Sequence, residues 1–216
     1  MQWKIMVACV SNYFLFQMSS PVLFTYQGPA VAGQMGLSLT IMAAVFAVGA
    51  TWVNTKAPVF GTFIARREYQ LLDKTFFRAL GQSIGVVLAG VVLVVAAVGV
   101  LNLTGYQLRQ RIVSPAAFAV LSIALLAYHI YDCEATYMHA HKREPFLAVS
   151  LVAGISIAFA TFLLGRAWGS WGIIVGWATL VPIVVLGLGT LIFARKRREW
   201  HRDVATLEQH REVAAA

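Results

Sequence analysis

The sequence predicts an all-α integral membrane protein with six transmembrane helices and both termini in the cytoplasm. The first observation is charge. Only 12% of the 216 residues are charged and 59% are hydrophobic, with a mean hydropathy of +0.73, whereas a soluble domain carries about 25% charged residues. So little charge does not cover a water-facing surface, and most of the chain is expected to face lipid. The second observation is run length: six apolar runs approach the ~20 residues a helix needs to cross about 30 Å of hydrocarbon. The third is where the 17 Lys and Arg residues fall. They sit at the ends of apolar runs, so the net charge of +8 reads as topology and contact with anionic lipid headgroups, not as a nucleic-acid-binding face.

The runs lie near residues 5–24, 31–53, 80–103, 115–131, 146–164 and 171–193. The first is the most polar, with Ser11, Asn12, Tyr13, Gln17, Ser19 and Ser20, and Pro21 near its far end. The third is almost pure Val, Leu, Ala and Gly. Pro182 is expected to kink the sixth, because its ring removes an N–H and crowds the preceding turn. Trp52, Tyr106, Trp168 and Trp171 lie at run edges, as an interfacial aromatic belt does; Trp177 does not fit that belt. Residues 1–198 thus make the membrane bundle. Residues 199–216, with charges of both signs, make a cytoplasmic tail expected to be a frayed, solvated helix.

The connections alternate in character. Residues 25–30 carry no charge, 105–114 carry Arg109 and Arg111, and 165–170 carry Arg166. The other fourteen basic residues collect on the opposite side, which the positive-inside rule places in the cytoplasm. They include Lys4, Lys142, Arg143 and six from Arg195 onward. Five more, Lys56, Arg66, Arg67, Lys74 and Arg78, occupy the segment 55–79 against only Glu68 and Asp73. In that segment Tyr69, Leu72, Phe76 and Leu80 recur at helical spacing, predicting a short amphipathic helix on the inner membrane surface before the chain turns in. Pro58 follows the second run, where continuing the helix through it would cost about 3 kcal/mol. Cys9 and Cys133 lack disulfide or zinc-type spacing. The first run continues for about twenty residues without a small-x-small cleavage site.

All nine Asp and Glu fall, on these boundaries, in cytoplasmic segments or at their edges, so no mid-span charge marks an ion or proton pathway. The polar groups left in the membrane are neutral: Asn12, Tyr13, Gln17, Tyr26 and Gln27 on or near the first run, and Gln34, Ser38, Thr40, Thr51 and Asn54 on the second. An unpartnered amide in lipid costs several kcal/mol. These residues therefore either wall a hydrated cavity for a sugar-bearing substrate or hydrogen-bond helix to helix. His129, Asp132, Cys133, Glu134, His139 and His141 crowd one stretch. Their types suit a metal, but no recognised ligand spacing appears. The stretch reads as an interfacial polar helix end, and neither metal nor cofactor is expected. Gly165-x-x-x-Gly169 and Gly172-x-x-x-Gly176 match the small-residue spacing that lets helices approach closely. No Ser/His/Asp arrangement or phosphate-cradling glycine loop is present, so an enzyme is not expected; a membrane-embedded enzyme would have to use the His129 to His141 stretch.

Five phrases occur in order: YFLFQMSSPVLF from Tyr13, GQMGLSLT from Gly33, KAPVFG from Lys56, IARREY from Ile64 and YMHAHKREPF from Tyr137. Together they resemble the second half of bacterial polysaccharide-export membrane proteins, the O-antigen and lipid-linked oligosaccharide flippases of the MATE-like superfamily. The likeness covers roughly residues 2–200. It implies one lobe of a two-lobe inner-membrane transporter, in which two six-helix lobes rock to expose a central cavity alternately. The first two spans would then line the substrate path through Asn12, Tyr13, Gln17, Tyr26, Gln34 and Asn54. The partners implied are membrane lipids, a lipid-linked saccharide and a second lobe supplied by another chain or by self-association. Residues 2–4 resemble a linker interior, so the chain is expected to be a C-terminal half. The cationic residues expected for a pyrophosphate-linked substrate would belong to the other lobe. The rival expectations are a non-transporting membrane scaffold or remnant, and the membrane-embedded enzyme.

Overall fold

The computed structural model describes residues 17–104, 107–141 and 147–215. Among them there is helix and short turn but no strand, as the all-α reading requires. Most of the first run, including Asn12 and Tyr13, lies outside the described residues, as do Cys9, Tyr106, Lys142 and Arg143. Four described helical stretches are long and apolar enough to cross a membrane: Pro29–Arg66, Tyr69–Thr104, Pro115–Ala140 and Val149–Arg202.

Local chemistry sets the breaks. Helix α1 (Ser19–Gln27) and helix α2 (Pro29–Asn54) are separated by Gly28 alone, at φ 89°, a backbone state open mainly to glycine. Pro29 then opens α2, where a missing N–H removes no helical bond. After the Thr55–Lys56 turn, Pro58 starts α3 (Ala57–Arg66). That helix ends on Arg67 in the left-handed region, with the Glu68 N–H donating back to the Phe63 carbonyl at 2.9 Å, a Schellman-type close. A 3₁₀ turn over Gln107–Arg111 leads toward α5 (Pro115–Ala140). The Ser114 hydroxyl caps α5 by accepting from the Ala117 N–H at 3.3 Å.

The segment 55–79 does not form a surface helix that then turns inward. Its first part is α3, and from Tyr69 it is already α4 (Tyr69–Thr104), 36 residues without a break and about 54 Å long at 1.5 Å per residue. Leu72, Phe76, Ala79, Ser83 and Val87 form one buried stripe along α4. The helical spacing was sound, but this apolar face packs on the bundle instead of lying on a membrane surface.

The stretch after residue 146 is not one rod. Helix α6 (Leu147–Leu180) reverses at Gly169, whose φ of 60° and ψ of −142° are non-helical. The reversal brings Trp177 Nε1 within 2.9 Å of Thr161 Oγ1 across sixteen positions, which an unbroken helix would hold about 24 Å apart along its axis. Pro182 lies in a π-helical segment, Val181–Gly187, where the wide turn accommodates the ring. Helix α7 (Leu188–Ala215) completes the chain.

Residue contacts set the directions. Gly49 lies against Ser83 and Val87 while Gly90 lies against Val45, so α2 and α4 are antiparallel. Ser83 pairs with His129 and Asp73 with Tyr137, so α4 and α5 are antiparallel. Gly189 meets Tyr131, Thr190 meets Glu134, Phe193 meets Tyr137 and Trp200 stacks on His141, so α5 and α7 run parallel. The segment 55–69, the end of α5 and the start of the tail therefore meet at one end. There Phe60, Phe76, Tyr137 and Phe193 form a buried aromatic cluster with centroids 4.9 to 6.3 Å apart. The exterior is apolar: Leu88, Val92, Leu93 and Val100 of α4 and Ile155 and Phe159 of α6 are exposed. In water such a surface would aggregate; in a bilayer it faces acyl chains.

Candidate functional site

Between α2 and α5, beside the start of α1, lies a groove of about 620 Å³. From α2 it takes Gly36, Thr40, Ala43 and Ala47, one stripe of small side chains at helical spacing. From α5 it takes Leu125, Tyr128, His129 and Asp132, again one face. Gln17 and Ser20 close one side. Leu39, Phe46 and Ala50 complete the α2 lining.

His129 anchors the polar wall. The Ser83 hydroxyl donates to the Gly49 carbonyl at 2.8 Å. With that proton committed, the hydroxyl oxygen accepts from His129 Nε2 at 2.7 Å. The arrangement orients the ring and does not activate the serine, since the imidazole is donor rather than base. Phe46 packs on the imidazole at 5.4 Å between centroids. Cys133, one turn on, places its sulfur 3.8 Å from Nε2. Three helices thus hold one imidazole, and α2 reaches it only because Gly49 has no side chain: a Cβ there would overlap Val87.

The carboxylates of α5 lie short of its C-terminal end. The predicted fourth span ended at 131, but α5 runs to Ala140, about 39 Å in all, so Asp132 and Glu134 lie within a membrane-length helix. Two positions apart, they point to opposite sides. Asp132 is exposed on the groove. Glu134 is buried, and both its oxygens accept from the Thr190 hydroxyl, at 3.0 and 3.1 Å.

Asn12 and Tyr13 lie outside the described residues, and the described four, Gln17, Tyr26, Gln34 and Asn54, have separate surroundings. Gln17 lines the groove. Gln34 donates to the Gln110 carbonyl at 2.7 Å, bracing α2 against the 3₁₀ turn. Asn54 is exposed at the far end of α2. Tyr26 is exposed near the Gly28 turn, edge-on to Phe162 at 6.1 Å, with the Arg166 guanidinium 5.7 Å from its ring centre. Sequence reasoning did not single out Tyr128, His129 and Asp132 as neighbours on a cavity wall; their spacing of three and four was the available signal.

The remaining polar groups have separate surroundings. His139 is exposed, and His141 stacks on Trp200 at 3.6 Å. Among the described residues no three His, Cys, Asp or Glu converge as metal ligands would. Asp73, nearly buried, accepts from Tyr137 Oη at 2.8 Å and from Arg197 at 2.7 Å, and lies 2.8 Å from His201 Nε2. Gly165, Gly172 and Gly176 line the seam between the arms of α6, against Ile173 and Leu164, while Gly169 is the turn itself. Trp168 and Trp171 flank that turn and are exposed, as is Trp52. Trp177 is buried inside the hairpin, which accounts for its misfit with an interfacial belt.

A tyrosine ring, an imidazole and a carboxylate on the α5 wall, with an amide at the adjacent side, can stack on a sugar ring and hydrogen-bond its hydroxyls. The volume falls within the roughly 300–1,000 Å³ range of small-molecule clefts. Comparison with protein-family models, with curated proteins and with solved structures finds no match.

Proposed function

We propose that this chain is a six-span lobe of a transporter that moves lipid-linked polysaccharide precursors across the bacterial inner membrane by alternating access, completed by a second lobe. The reversal at Gly169 supports six spans, because it divides Val149–Arg202 into two arms; the apolar run at 5–24 adds the remaining one. The parallel course of α5 and α7 agrees with even-numbered spans pointing the same way, and the basic segments then mark the cytoplasmic side.

The observation that carries the reading is the groove, in which Gln17, Tyr128, His129 and Asp132 meet between α2 and α5. The path is revised to Gln17, Thr40, Tyr128, His129 and Asp132. The Asp132 carboxylate would repel a pyrophosphate, so this groove takes the sugar portion of the substrate and the other lobe supplies the cations. The test is reconstitution in vesicles with candidate partner lobes and a fluorescent lipid-linked oligosaccharide. Flipping that drops at least tenfold in Asp132→Asn and Tyr128→Ala is the expected result. Absence of flipping with every partner lobe, or flipping unaffected by both substitutions, would refute it.

A further inference from the structure

The five basic residues of the segment 55–79 are not equivalent. Lys56, Lys74 and Arg78 converge on a second groove, of about 500 Å³, between the α2–α3 turn and α4; Arg66 and Arg67 are not among its lining residues. The α4 wall is a stripe at helical spacing, Leu71, Lys74, Arg78 and Gln82, facing Lys56.

We infer that this groove binds the headgroup phosphate of an anionic phospholipid. No carboxylate lines it. The nearest acid on α4, Asp73, is turned to the opposite face and engaged by Arg197, Tyr137 and His201. Among the described residues Lys56, Lys74 and Arg78 form no salt bridge. Three exposed cations around one concavity repel each other, so a counter-anion from outside is stabilising. A phosphate suits them: the lysines act as point charges and the guanidinium as a planar fork. Depth selects a lipid over a free anion. Exposed Leu88, Val92 and Leu93 begin six residues beyond Gln82, about 9 Å along the axis. With those side chains among acyl tails, the cations stand at headgroup level, and exposed Leu71, which lines the groove, offers apolar contact beside them. The inference is independent of transport.

The experiment is native mass spectrometry of the full chain released from nanodiscs containing phosphatidylcholine and phosphatidylglycerol. The wild type should retain phosphatidylglycerol through detergent exchange. Lys74→Gln/Arg78→Gln should lose at least tenfold of that retention, and Lys56→Gln, on another element, should weaken it in the same direction. Arg66→Gln/Arg67→Gln should match the wild type, and far-ultraviolet circular dichroism should show equal helicity in all four. Equal retention by every variant, or binding of inorganic phosphate but not of the lipid by the wild type, would overturn the assignment.

Discussion

Asp73, in the second turn of α4, and Arg197, on α7, lie 124 positions apart and meet at 2.7 Å. The carboxylate is nearly buried and the guanidinium partly exposed, its carbon 5.1 Å from the centre of the Phe77 ring. The pair ties the first long helix after the basic segment to the helix that leaves the bundle. Tyr137 of α5 donates to the same carboxylate, so three helices close on one acid.

Removing Arg197 leaves a buried carboxylate short of its cation. Arg197→Ala should lower unfolding stability by about 2 kcal/mol, a figure reduced for the exposed side of the pair. A double-mutant cycle of Asp73→Asn and Arg197→Ala, followed by thermal unfolding in detergent, should show coupling of about 1 kcal/mol. Additive effects would mean the contact contributes nothing.

The approach of α2 to α4 depends on Gly49. A Cβ there would overlap Val87, so Gly49→Val should cost about 1–3 kcal/mol from overpacking and separate the Ser83–His129 pair from its anchoring carbonyl. Val87→Ala in the same chain should recover much of the loss. Unchanged stability in Gly49→Val would disprove the close crossing.

Ser83→Ala removes both hydrogen bonds made by its hydroxyl. A buried imidazole N–H left unpaired costs about 1–3 kcal/mol. Ser83→Thr, which keeps the hydroxyl, should fall between the wild type and Ser83→Ala. Equal stability of the alanine and threonine variants would show that the hydrogen bonds do not matter.

The hairpin at Gly169 has a direct spectroscopic test. Spin labels on Ser150 and Leu188 in a cysteine-free background should report a distance far shorter than the ~57 Å that an unbroken helix would impose. Gly169→Val should destabilise the turn by about 1–3 kcal/mol, because this backbone state is nearly confined to glycine. A long distance in the wild type would rule out the reversal.

The ends can be placed by labelling in intact cells. Cysteines replacing Arg66 and His139 should be blocked only by a membrane-permeant reagent, and one replacing Arg109 by an impermeant one as well. Labelling of Arg66 and Arg109 positions from the same side would contradict the proposed topology.

The class of protein, several of the breaks between helices and the grouping of the basic segments were legible residue by residue, while the start of α4 and the end of α5 lay well beyond the apolar runs. Apolarity, proline and glycine act locally: a run of Val and Leu prefers lipid whatever its neighbours, Pro58 disfavours continuation of α2, and Gly28 permits the turn before Pro29. Helical spacing also revealed the stripe Leu72–Phe76, though not what it would pack against. The groove was not legible, because a path residue is defined by what faces it across space. Gln34 and Asn54 resemble Gln17 in chemistry, yet one braces a turn, one lies at a helix end and only Gln17 borders the cavity. His129 and Glu134 belonged to one polar cluster in the chain and to separate partners, Ser83 and Thr190, in the fold. Those pairings join residues 46 and 56 positions apart, and only packed helices bring such groups within hydrogen-bonding distance.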